Sequence, residues 1–301
     1  MAILGCNLDE TENFHKEVEK LRRKIIDDQD FRLKLSQQTK TYQGVKDFFS
    51  TFIAFLQYEL PLYCHDFYRV RRSEVEGVPY SSKKDLIYPS KPNAEHKDRM
   101  NNTSFRVLYT SFHEFTAMAE NRMGHDFIAR TFQLTRFTTS KPLKVYELGL
   151  FSDLYLNSPG AAELSRQRKI QLLGSDATDR IVRGYSALEC AMAEVLYDQT
   201  DGYHYLSSIL ADAIFSNTEV DAILYPSVQN RYGVNIAFRK ECADSLDITY
   251  SSLNRLEKVY RNGFYQYRTE MECLDFSNPE KFTFSSTDCT RVPKQWLSDK
   301  R

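Results

Sequence analysis

A tyrosine and a glutamate, Tyr109 and Glu120, lie eleven residues apart in a stretch whose hydrophobic pattern changes from strand to helix. Alternating apolar residues up to Tyr109 predict a strand, and the apolar spacing of residues 112–123 predicts a helix that carries Glu120. Ser111 is suited to cap this helix, with Glu114 at the capping-box position three residues later. An aromatic ring and a carboxylate held by two rigid elements can act on one ligand. The simpler interpretation is an ordinary strand–helix unit with a surface glutamate.

Two arginines lie where they can bind an anion. Arg69 follows Tyr68 on a short alternating strand at 67–71, and Arg99 lies near the end of a long polar loop at 73–104. The planar guanidinium fork matches the geometry of a phosphate group, and loops of this length are often functional. The alternatives are an edge strand with solvated arginines and, for Arg99, plain surface charge.

Ser227 is the third kind of residue that could contact a ligand. It follows Pro226, which interrupts a buried-type strand at 221–228 because proline cannot donate to a sheet ladder. A serine at a strand end is well placed to hydrogen-bond a ligand. Without a GxSxG motif, however, it is not predicted to be the nucleophile of a hydrolase.

Several common site motifs are missing from the sequence. His113 and Glu114 do not form a zinc helix, because Ala117 stands where the second histidine is needed. There is no GxGxxG or GxxxxGK[ST] motif, and none of the six cysteines forms a CxxC pair. We therefore expect no metal and reduced thiols in a cytoplasmic protein.

Charge and hydropathy exclude two further classes. Lys and Arg total 40 against 41 for Asp and Glu, and this near-neutral balance argues against a general nucleic-acid binder, which would be basic. A local basic pocket for a phosphorylated small molecule is still compatible with it. No apolar run of 18 residues exists, so we expect no transmembrane helix, and no apolar segment resembles a signal peptide.

The remaining pattern is helical at the start and mixed afterwards. Amphipathic spacing predicts helices over 9–38 and 45–60, which either pack on the rest of the chain or form an interaction arm. We predict a basic helix face at Arg166, Arg168 and Lys169 and two apolar helices at 185–199 and 203–216. His204 in the second of these is expected to have a packing or surface role. Further strands are predicted at 127–137, 144–150, 234–238 and within 248–276.

Four fragments, taken in order, resemble the RES domain family, which is named for its arginine, glutamate and serine. They are Tyr68-Arg69, Arg99-Met-Asn101, Leu108-Tyr109 with Ala117-Met-Ala-Glu120, and Tyr225-Pro-Ser227 with Gly233-Val-Asn235. The resemblance covers roughly residues 62–275. It departs from the family pattern at Asp98 and Met100, which replace a usual glycine and tryptophan.

The resemblance implies an α+β fold with a bent, mixed β core of the ADP-ribosyltransferase type, flanking helices and an N-terminal helical extension. It divides the chain into the extension at 1–61 and a RES-like catalytic domain at 62–280. Within that domain we expect a helical insertion around 151–218. Residues 281–301 are expected to be a C-terminal tail.

The resemblance also implies that NAD is the substrate. The expected reaction cleaves the bond between nicotinamide and ribose, with water or inorganic phosphate as acceptor, in a toxin-type effector. Glu120 is expected to stabilise the developing positive charge, Tyr109 to stack on nicotinamide or bind the ribose, and Ser227 to position the ribose or amide. The implied NAD-binding residues are Arg69 and Arg99, which would clamp the pyrophosphate, with Tyr68 and Asn101.

Two other functions stay open from sequence. The protein could transfer ADP-ribose to a protein target, although Met118 stands where such transferases often carry a second Glu or Gln two residues before the catalytic Glu. It could also be a non-catalytic NAD-binding scaffold. As partners we expect NAD and further copies of the chain in a homo-oligomer, with inorganic phosphate and an antitoxin protein as candidates. We expect no direct contact with nucleic acid or membrane.

Overall fold

The computed structural model describes residues 8–54, 59–63, 65–88, 98–102, 105–149, 167, 170, 174, 178–230 and 233–291. The basic cluster predicted at 166–169 lies outside the described residues except for Gln167. The chain forms two compact units. Unit 1 comprises residues 1–61, 91–107 and 143–225, and unit 2 comprises residues 62–90, 108–142 and 226–301.

Unit 1 begins with three helices, α1 (Leu8–Asp27), α2 (Gln29–Ser36) and α3 (Lys40–Ile53). The prediction of a single helix over 9–38 was wrong in one respect, because the helix is interrupted at Asp28. The Asp28 side chain accepts a hydrogen bond from the Phe31 amide at 3.0 Å and so caps the start of α2.

Unit 1 also contains two later helices, α6 (Asp179–Val195) and α7 (Tyr205–Asn217). Helix α1 packs on α6, and α3 packs on α7, so the first three helices form part of a core and not a separate arm. The side chains of α7 from Tyr205 to Ile214 are buried on all sides of the helix, as expected for a predominantly apolar helix inside a core. His204, just before α7, contacts the Asp198 carbonyl oxygen through Nδ1 at 2.9 Å, a structural role.

Two strands of unit 1 lie side by side and run parallel. They are β5 (Leu143–Glu147) and β6 (Ala222–Pro226), with Val145 opposite Ala222. The short strand β1 (Leu60–Leu62) neighbours β5. All three correspond to apolar segments, and β6 ends at the proline that precedes Ser227.

Unit 2 is built on strands in the order β7-β3-β2-β4-β8-β9-β10. Their bounds are β2 (Phe67–Arg72), β3 (Val107–Ser111), β4 (Thr131–Thr138), β7 (Val234–Arg239), β8 (Asp247–Val259), β9 (Tyr265–Cys273) and β10 (Ser285–Arg291). The pairs from β3 through β10 are antiparallel. Part of the segment predicted as a tail is therefore a paired strand.

Three short helices complete the described part of unit 2. They are α4 (Lys83–Leu86), α5 (Glu114–Glu120) and α8 (Lys240–Ser245), with a 3-10 turn at His125–Phe127. Parallel and antiparallel strands with flanking helices confirm the predicted α+β class with a mixed β core. In the described residues, no helix has both the length and the hydropathy needed to cross a membrane.

Candidate active site

Helix α5 positions Glu120, which is its last residue. The predicted cap was wrong: Ser111 belongs to β3, and the residue at the helix N-cap is His113, whose Nδ1 accepts the Phe115 amide at 3.2 Å. Glu114 does not complete a capping box. It is buried and accepts a hydrogen bond from the Tyr267 hydroxyl at 2.9 Å.

The apolar face of α5 fixes the helix on the sheet of unit 2. Phe115 and Met118 are buried in one cluster with Val70 of β2, Phe132 of β4 and Tyr267 of β9. Because α5 has only seven residues, its stability comes from this packing and not from helix propensity. The carboxylate of Glu120 is thereby held at a defined point above the sheet.

Two neutral side chains donate to one oxygen of the Glu120 carboxylate. Ser227 Oγ donates to Oε1 at 2.5 Å, and Asn235 Nδ2 donates to the same atom at 2.7 Å. Within the described residues, Oε2 receives no hydrogen bond and no Lys, Arg or His forms an ion pair with Glu120. This half-buried carboxylate is thus held by neutral donors and not by an ion pair with any described cation.

The backbone around Ser227 determines the direction of its hydroxyl proton. Ser227 Oγ accepts the amides of Gln229 at 3.2 Å and Asn230 at 2.9 Å. These two donors occupy the oxygen lone pairs, so the single O–H must donate to Glu120. Ser227 therefore acts as a hydrogen-bond donor to the carboxylate, in keeping with the absence of a nucleophile motif.

The turn that carries Ser227 lies directly against α5. The Ser227 amide donates to the Gly233 carbonyl at 2.8 Å, and Asn230 Nδ2 donates to Thr116 Oγ1 of α5 at 2.9 Å. A Cβ atom on Gly233 would lie 2.4 Å from Thr116 Cγ2. Only glycine therefore permits this close approach of the turn to the helix.

Asn235 and Ser111 were not assigned to the site from sequence, although Asn235 belongs to the last fragment of the resemblance. Asn235 is buried, and its Oδ1 accepts the Ser111 hydroxyl at 2.6 Å. A carboxylate can only accept, so the amide NH₂ must face Glu120 and the amide oxygen must face Ser111. The Ser111–Asn235 pair thus orients the second donor to Glu120.

The two predicted tyrosines lie on the sheet face that carries Ser111. Tyr109 is two residues before Ser111 on β3, and Tyr68 is opposite Ser111 in the register of β2 and β3, so alternation places all three on one face. Tyr68 packs on the cluster beneath α5. Burial, then the charges of Asp66 and Glu114, raise the pKa of the Tyr68 hydroxyl, which keeps it a proton donor.

Arg69 lies on the other side of β2 by the same alternation. Its neighbours on that face are Phe67, whose ring contacts Phe238 at 4.9 Å, and Arg71, whose guanidinium lies 4.1 Å from the Tyr80 ring centroid. The structure therefore brings Glu120, Ser227 and Asn235 into contact and places Arg69 on the face opposite Tyr68.

Arg99 and Asn101 belong to unit 1. The Arg99 guanidinium lies 5.4 Å from the ring centroid of Tyr197. Asn101 is 1% exposed, donates to Asp98 at 3.1 Å and accepts the Val107 amide at 2.7 Å. Both ends of the Asn101 amide thus fasten the segment that carries Arg99 to the start of β3.

A family model for the RES domain matches residues 66–254, which is more than half of the chain. The chain belongs to the RES domain family. Proteins with a RES domain act on NAD as a substrate. In the part of the chain that the structure describes, no group of three or more His, Cys, Asp or Glu side chains is arranged to hold a metal ion.

One solved structure that resembles the chain is a crystal structure of the M. tuberculosis MbcT–MbcA toxin–antitoxin complex. The match has 13% sequence identity and a TM-score of 0.29, and it covers 69% of this chain and 90% of the other. A search of curated proteins found no match. The RES domain match begins at residue 66, so α1, α2 and α3 precede it, and it ends within β8.

Proposed function

We propose that this RES domain protein cleaves the nicotinamide–ribose bond of NAD and transfers the ADP-ribosyl group to water or inorganic phosphate. The observation that supports this most strongly is the Glu120 carboxylate, held through Oε1 by Ser227 and Asn235. Its other oxygen accepts no hydrogen bond from the described residues. A carboxylate with these properties can stabilise positive charge that develops on a substrate.

The proposed reaction depends mainly on the negative charge of the Glu120 carboxylate. As the bond between the nicotinamide nitrogen and the ribose carbon breaks, the electron pair leaves with nicotinamide, which departs as a neutral molecule. The ribose carbon passes through an oxocarbenium-like transition state, which Glu120 stabilises. An oxygen of water or phosphate then bonds to that carbon, and when water is the acceptor its proton is released to solvent.

The other predicted residues receive binding roles in this proposal. Tyr109, on the face that carries Ser111, stacks on nicotinamide or hydrogen-bonds the ribose. The family resemblance implies that Arg69 and Arg99 clamp the pyrophosphate, since guanidinium forks suit phosphate oxygens. These two roles stay predictions, and Arg69 lies on the sheet face opposite Tyr68. Tyr68 lies on the same sheet face as Tyr109 and contributes a donor beside it.

Transfer of ADP-ribose to a protein is less well supported by the described residues. Such transferases often carry a second Glu or Gln two residues before the catalytic glutamate. In this chain that position is Met118, which is 0% exposed and packs in the core beneath α5. A polar residue for an incoming protein acceptor is therefore missing from that position, which favours a small-molecule acceptor.

The test is product analysis after mixing the purified full chain with NAD, with and without inorganic phosphate. We expect nicotinamide release, accompanied by ADP-ribose if water is the acceptor or by a phosphorylated ADP-ribose if phosphate is. Tight NAD binding without any nicotinamide release would contradict the enzyme and support a binding scaffold. Labelled ADP-ribose on protein in a lysate would support the transferase instead.

A toxin-type role and an antitoxin partner are further proposals that come from the family alone. If the protein is such an effector, its expression should lower cellular NAD and slow growth, and the Glu120→Gln variant should do neither. The expected homo-oligomer stays a prediction.

A further inference from the structure

One row of side chains crosses the sheet of unit 2 on the face that α5 covers. Tyr68 of β2 lies opposite Ser111 of β3 on one side and opposite Arg136 of β4 on the other. Residues directly opposite each other in neighbouring strands point to the same face of a sheet. Ser111 in turn leads through Asn235 to the Glu120 carboxylate. The row therefore places Arg136 on the face of the candidate active site.

The packing beneath α5 shows independently which face carries Arg136. Leu134, two residues earlier on β4, lies in the buried cluster that contains Met118 of α5. By alternation along the strand, Leu134 and Arg136 share that face. Leu134 is 3% exposed but the Arg136 side chain is 37% exposed, so Arg136 lies where this face meets solvent. Strand spacing places its Cα atom about 10 Å from that of Ser111, within the length of an extended dinucleotide.

A β-bulge sets the direction of the Arg136 side chain. Between Arg136 and Phe137 of β4, the register with β8 skips Thr249. The Thr249 hydroxyl oxygen accepts a hydrogen bond from Arg136 Nε at 3.0 Å. Bulges are frequent next to active sites, where they re-aim a side chain. The skipped residue of this bulge thus holds the guanidinium at its inner nitrogen.

The outer end of the Arg136 guanidinium is held less firmly. A guanidinium has five N–H donors, and the bond to Thr249 uses one of them. Asp66 Oδ2 lies 3.8 Å from Nη1, and the Asp66 side chain is 48% exposed. An exposed ion pair of this kind contributes little, so an anionic ligand can replace Asp66 at the fork. Burial raises the pKa of the Tyr68 hydroxyl, and the neighbouring Arg136 guanidinium opposes that shift.

We propose that Arg136 is a substrate-binding residue of this site and that its guanidinium fork binds a phosphate group. This inference rests on the proposed function, in which two substrates carry phosphate: NAD in its pyrophosphate, and inorganic phosphate as an acceptor. A planar fork pairs with phosphate oxygens through two parallel hydrogen bonds. Arg136 supplies that fork on the face of Tyr68 and Ser111, whereas Arg69 lies on the opposite face.

The decisive variant is Arg136→Ala, assayed by nicotinamide release. If the fork binds the pyrophosphate, the KM for NAD, measured without phosphate, should rise about tenfold to a hundredfold, as for the loss of a hydrogen-bonded charge. If it binds the acceptor, only the KM for inorganic phosphate at saturating NAD should rise by such a factor. The kcat at saturating substrate should stay within about twofold, because Glu120 is untouched. No change in either KM would overturn the proposal.

Arg136→Lys separates a forked contact from a general effect of charge or stability. It keeps the positive charge and the aliphatic stem, but an ammonium cannot form the forked pair. We expect the same KM to rise by about threefold or more, with a melting temperature near that of the wild type. A lysine variant with the wild-type KM would overturn the forked contact. This variant also decides the question if Arg136→Ala does not fold.

The matched control is Arg268→Ala. Arg268 follows Tyr267 on β9, and Tyr267 packs in the cluster beneath α5, so alternation places Arg268 on the opposite face. Its side chain is 41% exposed and pairs with Glu257 and Glu270 at 3.8 Å, which matches the exposure and ion-pair length of Arg136. It should change neither KM. A rise as large as that of Arg136→Ala would attribute the effect to net charge and would overturn the proposal.

Calorimetric titration of Glu120→Gln protein with NAD and with inorganic phosphate, with and without Arg136→Ala, makes the same comparison without turnover. Weaker binding of either ligand caused by Arg136→Ala would support the binding role even if the wild type released no nicotinamide. Equal binding of both ligands would overturn it even if the reaction is confirmed. Failure of the proposed reaction and failure of this inference are therefore separate results.

Discussion

Asp212 in unit 1 and Glu120 in unit 2 are both carboxylates that accept hydrogen bonds from side chains distant in sequence. Both oxygens of Asp212 are engaged, by Tyr42 on one side and by Lys46 and Ser216 on the other. Glu120 accepts from two neutral donors on one oxygen, and no described cation pairs with it.

The difference separates a carboxylate that stabilises the fold from the one that we propose to be catalytic. The ammonium of Lys46 compensates the charge of Asp212, and three donors leave little capacity for a ligand. The carboxylate of Glu120 is held in position by two neutral donors and forms no ion pair with any described residue. For the availability of a carboxylate, the number of donors therefore matters less than their charge and than which oxygen they reach.

Among variants that keep the charge of both carboxylates, a large effect on catalysis is expected for Glu120→Asp. The variant keeps the charge but draws the carboxylate back by one methylene, away from Ser227 and Asn235. We expect kcat to fall on the order of a hundredfold, because a displacement of about 1 Å in a catalytic group has that consequence. The measurement is the steady-state rate of nicotinamide release. A kcat near that of the wild type would show that the position of the charge does not matter.

The next effect concerns stability and is expected for Asp212→Asn. This change leaves Lys46 without its counter-charge at a site where both side chains are largely buried, so we expect a loss of about 3 kcal/mol in the free energy of unfolding. Urea unfolding measures it. The matched control is Asp201→Asn, because the Asp201 side chain is 70% exposed and its pair with Arg32 should contribute little. Equal losses of stability in the two variants would contradict the stabilising role that we assign to Asp212.

A smaller effect is expected for Gly233→Ala, which tests how closely the Ser227 turn lies against α5. The added methyl group clashes with Thr116, so we expect a loss of about 1–3 kcal/mol in the free energy of unfolding, together with a lower kcat as Ser227 is displaced. Adding Thr116→Ala removes the clashing atoms and should restore part of the loss. If the double variant regains no stability, a clash with Thr116 is not the cause of the loss.

Local sequence patterns predicted the elements that carry the site. Alternation up to Tyr109 followed by helical spacing predicted the strand and the helix with Glu120, and Pro226 predicted the strand end before Ser227. The four fragments that resemble the RES domain family then predicted that Tyr109, Glu120 and Ser227 belong to one site. Such patterns succeed because they depend on neighbours within a few residues of the chain.

What the sequence could not predict depends on contacts between distant residues. Asn235 is 115 residues from Glu120, and alternation along a strand says nothing about which helix end its amide will meet. Glu114 had the spacing of a capping box but is buried against Tyr267, 153 residues away. Tertiary contacts of this kind override local preference.

The most direct test of the central claim is the rate of nicotinamide release by Glu120→Gln and Asp212→Asn, measured beside wild type at equal concentrations of folded protein and saturating NAD. We predict that Glu120→Gln loses on the order of a hundred- to a thousandfold in kcat with no change in melting temperature. Asp212→Asn should be less stable but keep kcat within about twofold. A Glu120→Gln variant that turns over NAD at the wild-type rate would contradict the account.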